Sequence, residues 1–238
     1  MVQWAAFAAI AGVVLVLMLV LSHMSAEAVD ELGTLSPAAL LANVAVTHGL
    51  FGVILVAAIV YTGVPADALG IAWSNEAVRT GLVVGVPLGL GLYALNELGA
   101  AMSTHLGLDH DETLRELLAP SGPGGWVILL VGVLPIVALF EELLFRAVLI
   151  GALAAGFDVS TSLLVVGSSI AFALGHGVQG SVGVVVTGLL GLVLAVAFVA
   201  TGSFLVVVVA HYVVNALEFA VHEGLGFDWA SVLEAPEG

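Results

Sequence analysis

The chain has 238 residues, 61% of them hydrophobic and 9% charged, with a mean hydropathy of +1.23. A soluble domain carries roughly 25% charged residues, so a soluble globular protein is excluded and a polytopic membrane protein is indicated. Eighteen acids against three arginines, with no lysine and no cysteine, give a net charge of -15; nucleic acid and anionic headgroups are poor partners for such a surface, and thiol or disulfide chemistry is absent.

The first apolar segment, residues 2–21, is long enough for about 30 Å of hydrocarbon and lacks a basic leader, so it is read as a retained helix. An acidic loop containing Glu27, Asp30 and Glu31 leads to a second span over 38–61, in which His48 reads as a packing residue. The third span, 80–100, spaces Gly81, Gly85 and Gly89 four apart, the small-residue face along which helices approach closely in lipid. Pro87 should bend it, and Asn96 and Glu97 are expected to reach the interface.

Residues 101–125 form a polar, interfacial loop. His105, Asp109, His110, Asp111 and Glu112 offer metal-ligand chemistry there, but the preferred reading is a short surface helix over 113–118. Asp109 or Asp111 would cap that helix, and Arg115 would pair with Asp111 or Glu112. Arg79 and Arg115 lie in successive loops and cancel, which leaves the orientation open. The fourth span covers 126–155, with Asp158 or Ser160 capping the next helix; the remaining spans are 161–176, 181–200 and 203–222. The expectation is an all-α membrane helix bundle of about seven spans, six to eight being compatible, with one short interfacial helix before the fourth. It is read as one domain, 1–238, with its chemistry in 126–222, integral to the cell membrane and of open oligomeric state.

The fourth span carries Phe140-Glu141-Glu142-Leu143-Leu144-Phe145-Arg146. Each charge at bilayer depth costs about 2.5–3.5 kcal/mol or more, so three together need a reason. Glu142 and Arg146, four apart, can pair on one helical face. Glu141 is rotated by about 100° from Glu142 and has no basic residue one turn on, so it is left over. About 17 residues separate Glu141 from Asp158 and about 18 separate Asp158 from His176, which sets both some 26 Å from one membrane face. His211 and Asn215 share a face of the last span, with Glu218 and His222 continuing the stripe, but His211 lies only about 13 Å from that membrane face.

Glu141-Glu142 with Arg146, then Phe172 with His176, then His211 with Asn215, resemble in order and placement the three motifs of the CAAX prenyl protease and bacteriocin-processing family of intramembrane proteases. The resemblance covers about 126–215; the first three spans carry no motif of the set. It implies an intramembrane endopeptidase acting on a membrane-bound protein or peptide, prenylated in some relatives. Glu141 and His176 then activate water, His211 and Asn215 stabilise the oxyanion, and Glu142, Arg146 and Phe172 support them. A metal alternative uses Glu141, His176 and His211 as ligands of zinc or another divalent ion, though no His-Glu-x-x-His sequence is present. Two further readings from other classes are a proton- or cation-coupled carrier and a non-catalytic scaffold built on the same polar pocket.

Overall fold

A computed structural model describes residues 1–28, 33–105 and 113–227, and among them every regular element is helical. The elements are α1 (Trp4–Glu27), α2 (Pro37–Thr62), α3 (Asn75–His105), α4 (Thr113–Leu118), α5 (Pro123–Phe157), α6 (Thr161–Leu174), α7 (Gly180–Thr201) and α8 (Phe204–Gly224). Six of these, all but α4 and α6, are long and apolar enough to cross a bilayer, and the chain is an integral membrane protein. The expected fifth span is shorter than foreseen: α6 has 14 residues, about 21 Å, and stops at Gly175 so that His176 sits in a turn.

Local chemistry sets most helix ends. Ser36 accepts from the Ala39 amide with Pro37 in the first turn of α2, and Ser203 accepts from the Val206 amide at the start of α8. The predicted side-chain cap of α6 does not form: Asp158 instead ends α5 in a left-handed conformation, φ 52°, and Ser160 contributes only its backbone carbonyl, to the Leu164 amide. The proposed caps of α4, Asp109 and Asp111, lie outside the described residues, as do His110 and Glu112.

Helix α5 is the centre of the bundle. Half of its most apolar window is buried, against 17–39% for the other spans. It packs on α1 and α2 through Phe140, Leu144, Phe145 and Val148, on the α7–α8 side through Ile150, and on α2 and α8 again through Leu129, Val133 and Leu134. Two stretches of α5, Ile128–Val133 and Leu143–Ala152, are wound as wider π turns. Such turns disturb the backbone ladder and occur often beside functional residues. Here the second begins directly after Glu142, and Ser168 of α6 donates to the Phe145 carbonyl within it at 2.5 Å.

The glycine face of α3 does what its spacing predicts. Side chains at Gly81, Gly85 and Gly89 would collide with Leu205, Val209 and Val213 of α8 at 2.6–2.8 Å, so the two helices meet almost backbone to backbone. This contact places α8, and with it His211, against the centre of the bundle.

Candidate active site

The two adjacent glutamates of α5 have different surroundings. Glu142 and Arg146 are both fully buried and paired at 2.8 Å, as the spacing requires. Arg146 also donates to the Gly191 carbonyl of α7 at 2.9 Å and lies over the Phe172 ring, 4.4 Å from its centroid. Gly191 is needed there, because a Cβ would come within 2.7 Å of Phe172 and 3.3 Å of the guanidinium. Phe172 in turn meets His176 at 4.4 Å and His211 at 6.0 Å between ring centroids, so one aromatic ring spaces the cation from both imidazoles.

Glu141 has no arginine. Its Oε2 lies 3.9 Å from Nε2 of His176 and 3.7 Å from Nε2 of His211, and is buried without a hydrogen-bond partner. Its Oε1 faces Nε2 of His48 on α2 at 3.4 Å. Each imidazole is anchored through the opposite nitrogen. Nδ1–H of His48 donates to the Val44 carbonyl at 2.9 Å, that of His176 to the Phe172 carbonyl at 2.7 Å, and that of His211 to Glu142 Oε1 at 2.6 Å. Three Nε2 atoms are thereby turned towards one carboxylate. His48 is the member that the sequence reading set aside as packing; a lone histidine in an apolar helix carries no local signal of a partner on another span.

These residues line a cavity of about 420 Å³ between α1, α2, α5, α7 and α8, with α3 and α4 completing a wall that is otherwise largely apolar. Asn215, one turn along α8 from His211, lines the same cavity, so its amide is available to a bound molecule. Two turns beyond His211 the wall becomes polar again. Asn96 donates to Glu218, Nε2–H of His222 donates to Glu97 at 2.7 Å, and Arg115 of α4 reaches Glu218 at 3.3 Å and Glu223 at 2.9 Å. Asn96 and Glu97 therefore have partners on α8. Arg115 makes long-range pairs in the same way, and its expected local partners Asp111 and Glu112 lie outside the described residues. His105, at the end of α3, is exposed.

The donor sets can be tested for a metal. A zinc ion needs ligand atoms about 2.0–2.3 Å from one centre. Among the described residues, Glu97, Glu218 and His222 form a group whose ligand atoms lie within 4.8 Å of one another and which could hold an ion. Glu141, His176 and His211 are not in that group; Glu141 Oε2 stands 3.9 Å from Nε2 of His176 and 3.7 Å from Nε2 of His211.

Residues 123–217 match the family model described as "Type II CAAX prenyl endopeptidase Rce1-like", and the match supports the CAAX protease family that the three motifs resemble. It takes in Glu141, Glu142, Arg146, Phe172, His176, His211 and Asn215, and leaves out His48. No curated protein and no solved structure matches the chain.

Proposed function

We propose that this integral membrane protein, whose segment 123–217 matches the type II CAAX prenyl endopeptidase model, hydrolyses a peptide bond of a membrane-associated substrate with water activated by Glu141. The observation that carries the reading is the position of Glu141 Oε2, buried, unpartnered and flanked by two imidazole nitrogens in a cavity wall.

In the proposed reaction the cavity admits an extended peptide, and a water sits between Glu141 Oε2 and His176 Nε2. Glu141 takes one proton from the water as the oxygen bonds to the scissile carbonyl carbon. The carbonyl oxygen gains charge and is met by the Asn215 amide and by Nε2–H of His211 in its imidazolium form, each such donor contributing about 2.7–4 kcal/mol. The C–N bond then breaks, and the proton held by Glu141 passes to the departing amine, leaving a new carboxylate and a new amino terminus. Glu142 and Arg146 hold His211 and the α5–α7 contact in place. The steps as written use side chains of the chain alone.

A scaffold has no use for a carboxylate with a free oxygen facing anchored imidazoles, and a proton-coupled carrier, which could use one, would leave peptide termini unchanged. The reading is tested by profiling peptide termini in membranes from cells expressing the native chain or Glu141→Gln. New termini that depend on the native carboxylate are expected; identical profiles in both would refute the reading.

A further inference from the structure

His48 lies on α2, outside the matched segment 123–217, yet its Nε2 faces Glu141 Oε1 at 3.4 Å. The ring is fixed on two other sides. Its Nδ1–H donates to the Val44 carbonyl one turn back on the same helix, at 2.9 Å. It also stands edge-on to Phe140, 5.4 Å between centroids at 85°, and Phe140 is stacked on Phe51 of α2 at 6.0 Å. A histidine that served only to fill space could turn either nitrogen into the cavity; this one is locked with Nε2 on the carboxylate.

The two oxygens of Glu141 thus have separate surroundings. Oε1 has His48, while Oε2 is the oxygen left facing His176 and His211. The terminal torsion of a glutamate is broad and roughly two-fold, so without a partner on Oε1 the carboxylate plane is free to turn. Arg146 cannot supply that partner, since its carboxylate contact is with Glu142.

We infer that His48, as an imidazolium with a proton on each ring nitrogen, is a positioning residue for the reaction: its Nε2–H holds Glu141 through Oε1, so that Oε2 points at the water, and thereby ties the N-terminal spans to the chemistry of the matched segment. The inference rests on Glu141 being the base.

The test compares His48→Ala, His48→Phe and His48→Gln with Glu141→Gln, as purified full chains in lipid, on an internally quenched farnesylated peptide ending in a CAAX sequence. His48→Ala and His48→Phe are expected to lower kcat about tenfold to a hundredfold with KM within about twofold, because a misaimed base slows chemistry without weakening binding. His48→Gln restores a side-chain donor and should recover most of the rate. His48→Phe keeps the ring packing on Phe140 but not the donor, so full activity in that variant, or a rise in KM alone, overturns the inference. If Glu141→Gln is inactive and His48→Ala runs at the native rate, only this inference falls; if Glu141→Gln runs at the native rate, the enzymatic reading falls with it. Should the native chain not cleave the peptide, nitrogen-15 NMR of histidine-labelled protein decides: the His48 Nε2 resonance is expected to move in Glu141→Gln, and an unmoved resonance refutes the contact.

Discussion

Nδ1 of His211 lies 2.6 Å from Glu142 Oε1, the same oxygen that receives Arg146 Nη1 at 2.8 Å. One buried carboxylate oxygen therefore joins the guanidinium that fixes α5 to α7 and an imidazole facing Glu141. The ion pair supports the fold and aims a side chain of the candidate site at once.

Replacing one member of that pair should be severe. Glu142→Gln removes the only carboxylate bonded to a fully buried arginine among the described residues, and an uncompensated buried charge costs about 3–5 kcal/mol. Chemical unfolding in detergent should show a loss of that order; a loss under about 1 kcal/mol would mean that water reaches Arg146.

The α3–α8 contact makes a second test. A Cβ at Gly85 would meet the Val206 carbonyl at 2.7 Å and Val209 Cβ at 2.8 Å, and backbone cannot step aside cheaply. Gly85→Ala should therefore destabilise the protein by about 1–3 kcal/mol in thermal unfolding. Gly91→Ala on the same helix, where no atom lies within 4 Å, should cost nothing. Equal effects at both positions would contradict the close approach.

Arg115 holds the short helix α4 to Glu218 and Glu223 of α8, with side chains only 15–18% exposed. A double-mutant cycle of Arg115→Gln with Glu223→Gln should give a coupling of about 0.5–3 kcal/mol. Additive effects would show that the pair contributes nothing net.

The proposed chemistry is also independent of metal. Treatment with a strong chelator should leave the cleavage rate within about twofold of the untreated value, whereas a metal-bound water is lost with its ion. Loss of cleavage restored by zinc would contradict the mechanism.

What the sequence revealed follows the range of each interaction. Glu142 with Arg146 was legible because the pair is one helical turn apart, and the common depth of Glu141 and His176 was legible because both can be counted from one turn at Asp158. The glycines of α3 announced a close contact, though not that α8 would fill it. His48 was missed because its partner stands on another helix; the polar residues near it in the chain, Asn43 and Thr47, bond to each other. The partners of Asn96 and Glu97, Glu218 and His222, were not foreseen for the same reason, since they stand on another helix. The π turns of α5 left no mark in composition, since a wider turn changes which backbone groups pair and not which residues are present.

The central claim is that Glu141 is the base that activates water. The most direct measurement is kcat and KM of native protein and Glu141→Gln, purified in lipid, on the quenched farnesylated CAAX peptide, with thermal unfolding run alongside. The account predicts a kcat lower by about 10²–10⁴-fold with KM and melting temperature unchanged. A folded Glu141→Gln protein that cleaves at the native rate would contradict it.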